Sequence, residues 1–204
     1  MKWGPRMLDA TAHFETIHER LPGGAEVLQA RRSALARAEQ TGLPTRRNES
    51  WHYTDLARLL KQNDAVPVRA NAFDAKALAP LQMVFENGLL INEPAGDDCV
   101  TIESLAHALA SGARKHVGDA SDNDMAAFNL ALAQDGAVMT IDGTPNQAME
   151  LVTRGDGKAH LRHTIKVKRG TVTLIENLQA NGYTNAVLDV EVDPGARALL
   201  VRIQ

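Results

Sequence analysis

The last third of the chain alternates apolar and polar residues with a period of two. Leu161, His163, Ile165 and Val167 share one parity, and Arg162, Thr164, Lys166 and Lys168 share the other. Leu188, Val190 and Val192 alternate with Asp189, Glu191 and Asp193, and Leu199, Val201 and Ile203 alternate with Leu200, Arg202 and Gln204. Successive side chains of a strand point to opposite faces, so each run predicts a half-buried strand. Turn clusters separate the runs: Gly155-Asp156-Gly157, Arg169-Gly170, Asn181-Gly182 and Pro194-Gly195. Strands at regular spacing imply a sandwich, a barrel or a β-helix. There is no strict hexapeptide repeat, so the hexapeptide type of β-helix is not supported. The final run reaches Gln204 still alternating, which predicts an open edge that something must pair or cap.

Before about Gly136 the pattern is helical. Phe14, Ile17 and Leu21 lie at helical spacing, and Pro22-Gly23-Gly24 ends that run. Val27, Leu28, Arg31, Leu35 and Ala38 line a second, amphipathic helix with Gly42 at its stop. Thr54 or Asp55 can cap a short helix through Leu60 and Lys61. Asn87-Gly88 between Met83-Val84-Phe85 and Leu89-Leu90-Ile91 predicts a tight hairpin. Ser104 to Ser111 reads as a helix closed by Gly112. Ser121 and Asp124 suggest a capping box for a helix to about Gln134, and Asp135-Gly136 turns the chain. The expected division is a mostly helical region with a small hairpin over 1–136 and a β region over 137–204.

Composition narrows the function classes. The 204 residues are 44% apolar and 23% charged, enough to bury a core without a metal or disulfide staple. The net charge of −3 argues against a general nucleic-acid binder. The single cysteine, Cys99, permits no internal disulfide and suggests a reducing compartment. Met1 to Leu8 lacks the apolar core of a signal peptide, and no apolar run is long enough to span a membrane. A cytoplasmic location is expected.

The candidate chemical residues are few. His160 and His163 stand three apart, which on a strand sends them to opposite faces and makes a poor chelate. Glu176 shares parity with Val172 and Leu174, so an inward carboxylate is expected, paired with Arg162 or a neighbouring lysine. Cys99 sits among Asp97, Asp98 and Glu103, a poor setting for a thiolate. Gly23-Gly24 and Gly155-x-Gly157 lack the remaining residues of a nucleotide loop and read as turns. Arg31-Arg32 reads as solvated surface. Arg46-Arg47 lies near Trp51 and Tyr53, whose rings are expected to anchor the N-terminal region by packing. No catalytic constellation and no metal site emerge, which favours a non-catalytic interaction protein. The alternative is a small cupin-like β-barrel metalloenzyme using His160 and His163.

The stretch from Gly42 to Leu56 carries a motif met at Leu43, Pro44, Glu49, Trp51, Tyr53, Thr54 and Leu56, with His52 at a usually basic position. It resembles the N-terminal motif of the SufD family, within the SufB/SufD proteins of SUF iron–sulfur cluster assembly. Val84, Phe85, Asn87 and Gly88 are similar to that family's hairpin. Asn129 to Ala131 with Asp135-Gly136 resemble its entry to the β region, and His160-Leu161-Arg162 its His-Pro-Arg. Leu174-Ile175-Glu176 and Ile203-Gln204 resemble later rungs. The resemblance implies an α+β protein: a helical N-terminal domain followed by the start of a right-handed parallel β-helix. It implies a scaffold subunit partnered by SufB-like and SufC-like proteins, handling cluster intermediates only on the complex and binding no cofactor stably by itself. Family chains are about twice as long, so a truncated or short form is expected. Pairing with a β-helix subunit, or a homodimer, through the C-terminal strands follows.

Overall fold

The computed structural model describes residues 10–56, 58, 78–119 and 124–204. Met1 to Leu8, Leu60, Lys61 and Ser121, on which some of the readings above fall, lie outside them.

Helix α1 spans Ala10–Ile17 and runs into a 3₁₀ turn over His18–Arg20. Helix α2 spans Ala25–Thr41 and stops where the sequence places its stop: Gly42 takes φ 73° and its N–H bonds the Ala38 carbonyl at 2.9 Å. Asp55 Oδ1 accepts from the Arg58 N–H at 3.0 Å, a capping bond at the expected place. Strands β1, Leu81–Glu86, and β2, Leu89–Asn92, form the predicted hairpin. Its two turn residues both have positive φ, 51° at Asn87 and 85° at Gly88. Strand β3, Val100–Ser104, leads into helix α3, Leu105–Ala110, where Ser104 Oγ accepts from the His107 N–H at 3.0 Å. Helix α4 spans Asp124–Leu132. Six strands follow: β4 Ala137–Asp142, β5 Met149–Arg154, β6 Ala159–Arg169, β7 Thr171–Leu178, β8 Thr184–Val192 and β9 Arg197–Ile203.

These strands make two mixed sheets, ordered β2-β1-β5-β7-β9 and β3-β4-β6-β8. From β4 onward the chain alternates between them, and each strand from β6 to β9 pairs in parallel with the one two before it. The offset is nearly constant. Met149 faces Leu174 and Ala159 faces Thr184, 25 positions on; Val138 faces Thr164 and Thr171 faces Arg197, 26 positions on. The turns stack as well: Asn87 Oδ1 accepts from the Gly157 N–H at 2.8 Å, and the Asn181 N–H bonds the Gly155 carbonyl at 2.9 Å. Stacking sets a local constraint at Gly170, whose φ is 82° and where a Cβ would collide with the Gly143 carbonyl. A cupin barrel is antiparallel, so these parallel pairs overturn that alternative on architecture.

One apolar core fills the space between the sheets, with Met83 and Phe85 from β1, Met139 and Ile141 from β4, Leu151 from β5, Leu161 and Ile165 from β6 and Leu174 from β7. The parities read from the sequence hold on β6 and β7. The helices form a second core around Phe14, Val27, Leu35, Leu105, Leu109 and Leu130, against which Val138 of β4 packs. A third, small cluster joins Ala38 and Leu43 to Ala127 and Phe128 of α4. The hairpin grouped with the helical half joins the five-stranded sheet, because β1 pairs in parallel with β5.

Three expectations need correction. Arg31 is not solvated surface: it is 1% exposed, held between α2 and the end of α4. Tyr53 is not a packing anchor: it is 94% exposed and meets only the edge of His52, with centroids 4.9 Å apart. Strand β9 is not half-buried: every residue from Arg197 to Ile203 is exposed, and among the described residues it is the outermost strand of its sheet.

Candidate functional site: a buried polar seam and two open edges

The polar residues concentrate where the helices meet the four-stranded sheet. Asp135 is the hub. Its Oδ1 accepts from Ser104 Oγ at 3.0 Å, from the Ala106 N–H at 2.9 Å and from the Gly136 N–H at 2.8 Å, and its Oδ2 accepts from the Leu90 N–H at 3.3 Å. One carboxylate thus fixes the start of α3, the return of the hairpin and the entry to β4. Asn129 Nδ2 donates to the Leu161 and Asn185 carbonyls, both at 2.8 Å, tying α4 to β6 and β8. Asn185 Nδ2 returns a bond to the Met125 carbonyl at 3.0 Å. Asn129 and Asp135 lie in the segment that carries the family resemblance, and here their side chains hold the helix-to-sheet junction.

His160 and His163 are not brought together. His163 faces the inter-sheet core, meets Phe85 edge-on at 5.3 Å, and its Nδ1 accepts from the Ala137 N–H at 3.0 Å. The ring proton therefore sits on Nε2. His160 faces the helices, 6.4 Å from the His13 ring and 5.5 Å from Tyr183. Burial pushes the His163 pKa down to about 4. Burial, with help from His13 and Lys158, pushes that of His160 down to about 3. Both are neutral core imidazoles at pH 7. Among the described residues, no group of three or more His, Cys, Asp or Glu side chains could hold a metal ion.

Arg162, next to these histidines, is 1% exposed; its Nη2 bonds Asp189 Oδ2 at 2.8 Å and the Asp119 carbonyl at 2.5 Å. It does not reach Glu176. Glu176 is inward-facing and 2% exposed, as its parity requires, but its partner is Arg202 of the adjacent strand, with Nε to Oε2 at 2.6 Å. Glu176→Gln removes the charge from that bond and should lower stability by roughly 1–3 kcal/mol. An unchanged urea midpoint would rule out a structural role for the pair. Cys99 Sγ lies 3.1 Å from Asp97 Oδ1. That hydrogen bond, followed by burial and the Asp97 charge, raises the thiol pKa, so the thiolate is disfavoured. Gly23 and Gly155, with φ of 114° and 115°, are turn residues as read.

The other unusual surface is the end formed by β8 and β9. Among the described residues β8 pairs with β6 alone and β9 with β7 alone. Val190, Val192 and Leu200 continue the rows of buried Ile165, Val167 and Leu174, yet are exposed. Leu199, Val201 and Ile203 are exposed on the other face, Leu199 by 56%.

The fold and these surfaces define an α+β protein in which helices dock on one of two stacked sheets. Residues 12–82, from α1 into β1, match the SufBD protein N-terminal region. No curated protein matches the chain. Among the described residues, no helix is long and apolar enough to cross a membrane.

Proposed function

We propose that this chain is a SufD-like, non-catalytic subunit of the cytoplasmic SUF scaffold, partnered by SufB-like and SufC-like proteins. Its two stacked sheets are the first rungs of a right-handed parallel β-helix. The observation that carries the reading is the pairing of the family match over residues 12–82 with the 25- and 26-residue offsets between parallel strands. A constant offset between two sheets is the signature of a coil that adds one rung per turn. The sense of the coil follows from the preference of parallel crossovers for the right hand. In this reading β8 and β9 are the edges at which a SufB-like β-helix adds, and the residues that set the geometry are positioning groups, Asp135 and Asn129 foremost. Iron and sulfur are cargo of the assembled complex, and this chain alone holds no cluster.

The test is anaerobic co-expression with SufB and SufC, followed by native mass spectrometry. The expected result is a ternary complex. Replacing Leu200 and Val201 together by arginine at the open edge should abolish it while leaving the free chain folded. Recovery of only free chain, or of its homodimer, overturns the assignment.

A further inference from the structure

A cavity of about 310 Å³ lies where the 3₁₀ turn meets the start of α2, lined by His18, Glu19, Leu21, Pro22, Gly23, Gly24, Ala25, Leu28 and Arg31. Two sources of positive potential meet there. The first is the N-terminus of a 17-residue helix with no side-chain cap: the N-cap is Gly24, and no side chain accepts a bond there. The first intrahelical bond is from the Leu28 N–H to the Gly24 carbonyl, so the first-turn N–H groups have no partner within the helix. The second is Arg31. Helical side chains lean toward the N-terminus, and its Nη2 reaches back to the Pro22 carbonyl at 3.2 Å. Arg31 is 1% exposed, and among the described residues its Nε has no hydrogen-bond partner while Nη1 and Nη2 donate to carbonyls rather than to a carboxylate. The end of α4 that it meets carries only roughly half a negative charge, so the guanidinium is incompletely neutralised.

We propose that this cavity binds a small organic anion, a phosphate monoester or a carboxylate. Its charged end lies against the first turn of α2, with the buried Arg31 guanidinium behind the wall adding its positive charge, and its short apolar body lies against Leu21, Pro22 and Leu28. Gly24 leaves room for the anion: it is exposed, and a Cβ there would meet nothing within 4 Å. The backbone at Gly24, φ −81° and ψ −168°, is one that any residue adopts. That opens a decisive variant. In Gly24→Asp the chain supplies its own carboxylate to the same N–H groups.

The experiment titrates inorganic phosphate, n-butyl phosphate and n-butyrate into the ¹⁵N-labelled full chain and follows the amide shifts. Saturable shifts are expected at Gly24, Ala25 and Glu26, with n-butyl phosphate or n-butyrate binding at least fivefold more tightly than inorganic phosphate. Gly24→Asp should keep the spectrum of the folded chain and weaken binding at least tenfold. Ala25→Pro, which removes one N–H at a helix position that tolerates proline, should weaken it severalfold. No saturable shift with any of the three anions, or equal affinity in both variants, overturns the proposal.

Discussion

Lowering the pH from 7 to 5 should cost this protein about 4 kcal/mol of stability through two histidines alone. His160 and His163 are buried, and their pKa values fall from 6.5 to about 3 and about 4. Between pH 6.5 and 4 the unfolded chain binds a proton at each site that the native protein does not. Stability therefore falls as the pH falls, by up to about 1.4 kcal/mol per unit for each group. The contribution is whole above pH 6.5 and is gone once the pH drops through the native values. His13, whose pKa is also lowered by burial and by Lys158, acts in the same direction. Urea unfolding at pH 7 and pH 5 measures the difference. In a double variant, His160→Phe with His163→Asn, the aromatic packing and the acceptor for the Ala137 N–H are both kept. The pH dependence over that interval should then fall to the share of His13 and the exposed groups. Equal stability of the unmodified protein at the two pH values would contradict buried, neutral imidazoles.

Those two residues also show what a sequence can convey. Period two sent His160 and His163 to opposite faces, and they lie there, because parity depends only on the strand's own backbone. Asn87-Gly88, the helix beginning near Ser104 and the stop at Gly42 were legible for the same reason: each signal acts within four residues of itself. Partners were not legible. Parity placed Glu176 inward, but which strand lies beside it depends on the 26-residue offset to β9, and Arg202 rather than Arg162 is the result. Nothing in one strand's alternation encodes that offset. The exposure of Tyr53 and of β9 was missed because a ring or an apolar run shows what burial would gain, not whether a neighbour exists to supply it. Asp135 read as a turn residue. Its role as an acceptor of four bonds needs donors from 90, 104, 106 and 136, which meet only in the folded chain.

Arg31 is the sharpest case, and its removal should be the most damaging single change described. Its spacing, four residues after Val27 and four before Leu35, was visible, although the Arg31-Arg32 pair reads as solvated surface. Its acceptors were not, since they lie about a hundred residues on: Nη1 donates to the carbonyls of Leu130 at 3.3 Å, Ala131 at 3.4 Å and Ala133 at 2.8 Å. These belong to the end of α4, where carbonyls lack partners within the helix. Burial lowers the guanidinium pKa to about 10, so it remains charged at neutral pH. Arg31→Met keeps most of the side-chain bulk and strips the donors, leaving these buried carbonyls unpaired. The expected loss is about 3–4 kcal/mol by urea unfolding. Arg31→Lys, a point charge without the planar fork, should recover about half of it. The exposed neighbour changed in Arg32→Met should stay within about 0.5 kcal/mol of the unmodified chain. A further readout separates docking from general loss of stability. Because α4 is tied to β6 and β8 through Asn129, loosening its end should speed amide exchange in α2 and α4 well before it does so in β5 and β7. Uniform acceleration across helices and sheets, or an Arg31→Met variant as stable as Arg32→Met, would show that the guanidinium does not hold the helices to each other.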